Sequence, residues 1–317
     1  MMGESAKAGD TNKTGRVTVV GSLNMDLVAR APRLPKPGET LAGHAFAQVA
    51  GGKGGNQAVA AARLGAQVAM IGCVGDDPNG AILKQSLEAE GIDCSALATS
   101  AGASTGVALI VVDDASQNAI VIVAGSNALV TPASIEAQEQ LIAAADLIVC
   151  QLETPLDTVR AALAAGRRLG RTTILNPAPA ARKLPPDWFP LIDYLIPNEH
   201  EAATLSGVAI NSTEDARRAA QTLKAKGARN VIVTLGSDGV LALLDGEDEA
   251  GIHLASPRVE AIDTTAAGDT FIGGFAAELA RGTAVRDAIA FGQRAAAIAV
   301  TREGAQPSIP RRSEVSA

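Results

Sequence analysis

The segment Asp146-Leu147-Ile148-Val149-Cys150, the run Pro155 to Gly170 and the segment Thr172-Thr173-Ile174-Leu175-Asn176 decide the fold. The first and third are short apolar runs of strand length, and the middle one carries apolar residues at helical spacing. A strand, a helix and a second strand in so short a span describe a right-handed βαβ unit, whose two strands lie parallel. The rhythm continues outward. Helical stretches are predicted at Thr131–Ala145, Glu214–Gly227 and Ala267–Arg281, and strands at Val17–Gly21, Tyr194–Ile196 and Asn230–Leu235. Alternation of this kind predicts an α/β protein with a doubly wound, mostly parallel sheet and helices on both faces.

The first third of the chain breaks the rhythm. Extended segments at Thr40–Val49, Gly106–Val112 and Asn118–Ala124 follow one another with few helices, and Asp113 to Gln117 reads as a polar hairpin turn. They predict a small β-sheet appendage built from insertions within about residues 25–50 and 104–124 of a single domain spanning 16–312. Residues 1–15 form a polar tail without an apolar signal core, and 313–317 a second tail.

Composition narrows the function. The chain has 317 residues, 47% of them hydrophobic, and a formal net charge of -7. Its longest apolar runs are strand-sized, well short of the roughly 18 residues of a membrane span, so no membrane association is expected. Aromatics amount to 2% and no basic tract occurs, which disfavours nucleic acid as a partner. Cys73, Cys94 and Cys150 are widely spaced with no CxxC pair, as expected of buried thiols in a reducing, cytoplasmic setting. The histidines are as scattered.

In a doubly wound sheet, ligands sit beyond the carboxyl ends of the strands. Asn24 and Asp26, Glu153, Asn176, Asn198 and Glu201, and Thr234 and Gly236 all follow predicted strands. The most telling stretch is Ile262-Asp263-Thr264-Thr265-Ala266-Ala267-Gly268-Asp269-Thr270-Phe271. Small residues before a helical run place Ala266 to Asp269 in a first helical turn. There, free N–H groups and the helix dipole favour an anion. Asp269 is either a proton acceptor for an attacking hydroxyl or a first-turn dipole partner.

Gly51-Gly52-Lys53-Gly54-Gly55-Asn56-Gln57 precedes the helical run Ala58–Leu64. It matches neither the Walker loop nor the GxGxxG spacing. It is either a simple strand-to-helix turn or a glycine turn bringing Lys53 and Asn56 to a polyhydroxyl ligand. Asn198 suits a helix cap, and Glu201 one turn later suits either a dipole contact or a water-bridged Mg²⁺.

These segments together resemble the ribokinase (PfkB-type) carbohydrate kinase family over Val17 to Pro310. Gly51–Gln57 and Asp263–Phe271 carry the resemblance, supported by Gly21–Asp26, Asn176–Ala180 and Thr301–Ser308. The resemblance implies ATP-dependent phosphorylation of D-ribose at O5. Asp269 would be the general base, and the backbone of Ala266, Ala267 and Gly268 the anion hole. The sugar would be held by Asn24, Asp26, Gly52, Lys53, Asn56, Glu153 and Asp269, and the nucleotide by Asn198, Thr234, Gly236 and Gly268. Glu201 would serve Mg²⁺ through water. A K⁺ ion would lie among Asp263, Thr265, Ala299, Arg302, Gly304 and Ser308, several through main-chain carbonyls. The β appendage would be a lid over the sugar and the contact of a homodimer.

Two departures stand out. The family's motif is often Gly-Ala-Gly-Asp where this chain has Ala266 first, and its frequent histidine near the adenine is replaced by Gln293 or Arg294. Alternatives within the fold are a kinase of deoxyribose, fructose or a nucleoside, or a sugar-binding protein without catalysis. A nicotinamide dehydrogenase is weakened by the missing GxGxxG.

Overall fold

The computed structural model describes residues 13–115, 117–180, 183–248 and 250–315. The strands are β1 (Arg16–Val20), β2 (Asn24–Ala31), β3 (Ala45–Gly51), β4 (Gln67–Gly75), β5 (Leu97–Ser100), β6 (Gly106–Asp113), β7 (Asn118–Val123), β8 (Leu147–Cys150), β9 (Thr172–Leu175), β10 (Tyr194–Leu195), β11 (Asn230–Thr234), β12 (Val240–Leu243) and β13 (Ile252–Leu254). The helices are α1 (Lys53–Arg63), α2 (Pro78–Ala89), α3 (Pro132–Glu136), α4 (Glu139–Ala144), α5 (Leu156–Arg168), α6 (Glu199–Ser206), α7 (Thr213–Ala225), α8 (Ala267–Arg281), α9 (Val285–Ala299) and α10 (Arg312–Val315).

Nine strands form the main sheet in the order β13-β12-β11-β10-β9-β8-β1-β4-β5. Every neighbouring pair from β11 to β5 is parallel, while β12 and β13 add an antiparallel edge. The fold is therefore doubly wound and mostly parallel, as the alternation predicts. The chain starts at β1 and winds first to β4 and β5, then returns to the other side of β1 with β8. The switch point lies between β1 and β8, where loops leave in opposite directions and open a crevice.

Side chains alternate across this sheet with the period of two that a strand dictates. Val17, Val19, Leu147, Val149 and Ile232 meet α1 and α8 in one core. Val20, Ile148, Cys150, Val231 and Val233 meet α5 and α7 in the other. Both faces are covered, so the strands read as continuous apolar runs.

Four strands form a second sheet in the order β3-β2-β6-β7. β2 is antiparallel to β3 and parallel to β6, and β6 is antiparallel to β7. It is thinly covered: Phe46, Leu109 and all of Ile120 to Val123 are largely exposed. The polar turn between β6 and β7 closes with the Asp113 N–H donating to the Gln117 carbonyl at 2.9 Å.

Several local expectations need correction. The segment Thr131–Ala145 is two short helices, because the chain leaves helical geometry at Gln138. Extended structure begins at Ala45 rather than Thr40. Gly54 and Gly55 are not turn residues but lie inside α1, which starts at Lys53. A side chain at Gly54 would stand 2.6 Å from the Ser22 amide nitrogen, so glycine there lets α1 press against the backbone after β1. Residues 313–315, placed with a tail by the sequence reading, belong to α10, whose Val315 is buried against Phe291 and Leu64. Of the other tail, residues 13–15 are described, with Lys13 paired to Asp146 at 2.7 Å; residues 1–12 lie outside the described part.

Candidate active site at the switch point

Asp269 sits in the first turn of α8 and is 7% exposed. Its Oδ2 accepts from Asn56 Nδ2 at 3.0 Å and its Oδ1 from Gln57 Nε2 at 2.9 Å. Both donors come from α1, which packs alongside α8. Tight packing is possible because a Cβ on Gly273 would stand 2.4 Å from the Ala60 methyl.

The turn before Asp269 is unusual. Ala266 has φ 57° and is the only non-glycine residue with positive φ among the described residues. A left-handed alanine costs roughly 1 kcal/mol or more, and here the conformation starts α8 with no side-chain cap. The Ala267 N–H is spent on the Thr264 carbonyl at 3.2 Å. The N–H groups of Gly268 and Asp269 meet no acceptor among the described residues. Of the three expected anion-hole residues, Ala267 alone has its N–H bonded within the chain, while the N–H of Ala266, like those of Gly268 and Asp269, meets no acceptor among the described residues.

Two adjoining clefts meet at this turn. One, of about 210 Å³, is lined by Lys53, Asn176, Asn198, Glu201, Thr234, Ala266, Ala267, Gly268 and Asp269 among others. The second, of about 120 Å³, shares Thr234, Ala267 and Gly268 and extends to Gly236, Ser256, Phe271 and Gln293. Gln293 Nε2 donates to the Leu254 carbonyl at 2.8 Å, and Arg294, the other expected adenine neighbour, is absent from this lining.

The predicted sugar residues Asn24, Gly52, Lys53 and Glu153 adjoin one another near the end of β1. Asn24 is buried, its Oδ1 accepting from Asn127 Nδ2 at 2.8 Å. Glu153 accepts from the Ser22 hydroxyl at 2.5 Å and from the Lys53 N–H at 3.0 Å. Gly52 has φ 84°, and a Cβ there would stand 2.7 Å from the Asn24 amide nitrogen, so both space and backbone require glycine. Burial pushes the Asp26 carboxyl up to about 7, with Glu153 and Asp269 adding repulsion. Burial alone would lower Lys53, but the carboxylates of Asp269, Glu153 and Glu201 outweigh it and hold the ammonium above its ordinary value.

Asn198 and Glu201 form a reciprocal cap at the start of α6. The Glu201 N–H donates to Asn198 Oδ1 at 2.8 Å, and the Asn198 N–H to Glu201 Oε2 at 2.9 Å. Burial nonetheless raises the Glu201 carboxyl, although the Asn198 amide and Lys53 pull against it. Asp263 accepts from the Thr265 N–H and hydroxyl at 2.9 and 2.6 Å and from the Gly304 N–H at 2.9 Å. These bonds hold its carboxyl below the ordinary range against the opposing pull of burial. They also bring the 263–265 strap to the 299–308 loop, where the Ala299 carbonyl accepts from the Arg302 N–H at 3.0 Å and Ser308 is buried. Among the described residues no group of three or more His, Cys, Asp or Glu side chains gathers to hold a metal ion.

Sequence reasoning missed Ser22, Asn127 and Gln151 and gave Gln57 no role. Gln57 Nε2 also donates to Asn176 Oδ1 at 3.1 Å, and Gln57 Oε1 accepts from Gln151 Nε2 at 2.6 Å. Asn176 was singled out as a strand-end residue and as the start of the Asn176–Ala180 motif, without a bonding partner. The one available signal was the position of Gln57 beside Asn56 and of Gln151 directly after β8.

Fold and cleft together define a doubly wound α/β protein with its ligand crevice beyond the carboxyl ends of the strands. The chain belongs to the pfkB family of carbohydrate kinases, whose model, described as pfkB family carbohydrate kinase, matches residues 14–312. It is similar to the ribokinase of Haemophilus influenzae, 44% identical over 94% of this chain and 96% of that protein. It is also similar to the deoxyribokinase of Salmonella typhi, 38% identical over 93% of this chain and 95% of that one. The ribokinase of Arabidopsis thaliana, solved in complex with ribose and ATP, superposes with a TM-score of 0.89 at 30% identity, covering 96% of this chain and 98% of its own.

Proposed function

We propose that this carbohydrate kinase transfers the γ-phosphoryl group of ATP to the 5-hydroxyl of D-ribose. The observation that carries the reading is the position of Asp269 at the start of α8, lining a cleft directly after Ala267 and Gly268, which border a second cleft, and beside unspent backbone amides. Asp269 takes the proton of the 5-hydroxyl as that oxygen forms its bond to the γ-phosphorus. The bond from phosphorus to the bridging β–γ oxygen breaks, and ADP leaves with the electron pair. The backbone of Ala266, Ala267 and Gly268 forms the anion hole, its free N–H groups at Ala266 and Gly268, with that of Asp269, stabilising the charge on the transferring group. Phosphoryl transfer asks for little beyond this positioning and charge stabilisation.

Asn24, Asp26, Gly52, Lys53, Asn56 and Glu153 hold the sugar. The buried Asn56 Oδ1 has no partner among the described residues, and a hydroxyl donor from the sugar satisfies it. Asn198, Thr234, Gly236 and Gly268 hold the nucleotide, with its adenine toward Gln293.

Two metal ions fit residues of this chain. Glu201 is a buried carboxylate lining the same cleft as Asp269, a hard oxygen donor suited to Mg²⁺. When bound, that ion neutralises phosphate charge. The strap of Asp263 and Thr265 and the loop through Ala299, Arg302, Gly304 and Ser308 supply one carboxylate and otherwise carbonyl and hydroxyl oxygens. Such a set matches a singly charged hard cation such as K⁺ better than a transition metal.

The four-stranded sheet acts as a lid that excludes water from the sugar. Its exposed apolar residues Phe46, Leu109 and Ile120 to Val123 support a homodimer in which a second copy covers one face. No helix among the described residues is long and apolar enough to cross a membrane. Cys73, Cys94 and Cys150 are free and buried, which supports a reducing cytoplasmic setting.

ADP release measured with ribose, deoxyribose and fructose, each with Na⁺ or K⁺, tests the reading. Ribose should give the highest kcat/KM and K⁺ should raise it. Preference for deoxyribose would move the substrate to that of the Salmonella typhi relative, and no ADP with any sugar would remove catalysis altogether.

A further inference from the structure

Three side chains beside Asp269 form a hydrogen-bonded chain whose direction is set from its Ile196 end. Asn176 Nδ2 donates to the Ile196 carbonyl at 3.0 Å, and a carbonyl can only accept. Asn176 must therefore turn Oδ1 away from Ile196, toward Gln57. Gln57 answers with Nε2 at 3.1 Å. From the opposite side Gln151 Nε2 donates to Gln57 Oε1 at 2.6 Å. Gln57 is thus held at both ends of its amide: Asn176 sets its direction, and Gln151 turns Nε2 toward it although the buried Gln151 Oε1 is left with no partner among the described residues. The second hydrogen on its Nε2 has one remaining partner, Asp269 Oδ1, at 2.9 Å. Gln151 and Gln57 are 0% and 1% exposed, so bulk water does not compete for their amides, while Asn176 borders the cleft.

The carboxylate is pinned at both oxygens, because Asn56 Nδ2 holds Oδ2 at 3.0 Å. The two hydrogen bonds are not equivalent. Asn56 keeps a buried Oδ1 with no partner among the described residues, whereas both ends of the Gln57 amide are bonded within the protein. A competitor for the carboxylate lines the same cleft: Lys53, half-buried, has its ammonium held above its ordinary value by the carboxylates of Asp269, Glu153 and Glu201. A carboxylate free to rotate would turn toward that charge.

We infer that Gln57, locked in orientation by Gln151 and Asn176, is a positioning residue that holds the Asp269 carboxylate facing the sugar hydroxyl and away from Lys53. The inference rests on Asp269 being the base. It assigns work to two glutamines that touch neither substrate by this account. Their effect belongs in the chemical step, where a misplacement of about 1 Å costs on the order of 100-fold in rate.

The test uses the full chain with D-ribose and ATP. Gln57→Met keeps the length and removes the donor; Gln151→Met removes the lock on Gln57 without touching Asp269. Gln57→Met should lower kcat on the order of 30- to 100-fold while KM for ribose stays within about threefold, because the sugar contacts remain. Gln151→Met should lower kcat less, on the order of threefold to tenfold. The double variant should be no slower than Gln57→Met alone, since the two act in series. A merely structural role predicts independent, multiplying losses, or a rise in KM with kcat kept, and either result overturns the proposal. So does Gln57→Met with kcat near the unmodified enzyme. Should Gln57→Met fail to fold, Gln151→Met and Asn176→Leu carry the same kcat-against-KM test. Asp269→Asn run in parallel separates the two readings. If it retains turnover, the base assignment falls; if it is inactive while both glutamine variants are normal, only the positioning role falls.

Discussion

The floor of the cleft and the sheet above it are made on opposite principles. In the floor, α1 and α8 meet through glycine and alanine, every oxygen of Asp269 is bonded, and the polar side chains behind it are nearly inaccessible. In the four-stranded sheet, β7 is exposed along its whole length, with Ile120, Val121, Ile122 and Val123 about half uncovered or more. Burial holds a geometry; exposure leaves an element whose resting place is decided by something else, whether substrate beneath or another chain above. In the proposed function the first is a preorganised site, which accelerates chemistry because it does not rearrange, and the second is its cover.

The comparison breaks most visibly if the floor is forced apart. Gly273→Leu puts a side chain where even a Cβ would stand 2.4 Å from the Ala60 methyl. Overpacking of this kind costs about 1–3 kcal/mol, and separating α1 from α8 draws Asn56 and Gln57 away from Asp269. Thermal unfolding should show the loss of stability, and kcat should fall on the order of 100-fold.

Charge on the cover should do much less to chemistry. Ile120 and Val121 point to opposite faces of β7. Of Ile120→Lys and Val121→Lys, the one on the face covered by a second copy should shift sedimentation from dimer to monomer, raising the dimer dissociation constant on the order of tenfold or more. The other should leave assembly intact. Equal behaviour of both variants would remove the lid as the dimer contact.

A smaller effect separates the two regions by pH. Asp26 belongs to the lid sheet but faces the floor, and burial lifts its carboxyl from an ordinary value of 3.8 to about 7. Folded protein therefore holds a proton there that the unfolded chain has already lost. The resulting stabilisation is fully present below 3.8 and is lost as pH rises through about 7. Asp26→Asn should raise Tm on the order of 2 °C at pH 8.5 and change it less at pH 5. A larger gain at pH 5 would contradict the sign.

The sequence exposed these two regions unequally. α8 was legible to the residue, because Ala267 to Arg281 is flanked by small residues and closes on Gly282 in left-handed conformation. β4 went unassigned: with Val68 to Val74 buried on both faces, no alternation marks it as a strand. The glycines of α1 misled in the other direction, since Gly54 and Gly55 signal a turn locally but serve close approach to Ser22 and Leu23. In the site, Asp269, Asn56 and Glu153 could be named from their neighbours. The role of Gln57 could not, because its bonds reach Gln151, Asn176 and Asp269 across 94, 119 and 212 residues of chain. Only the winding of the sheet brings those together.

The most direct measurement is single-turnover phosphoryl transfer by Asp269→Asn, alongside ribose binding by calorimetry. Asparagine keeps the size of the side chain and removes the basic oxygen. Transfer should slow on the order of 10²- to 10⁴-fold while ribose still binds within a few-fold of the unmodified affinity. Transfer at a normal rate would show that the carboxylate at the start of α8 is not the base.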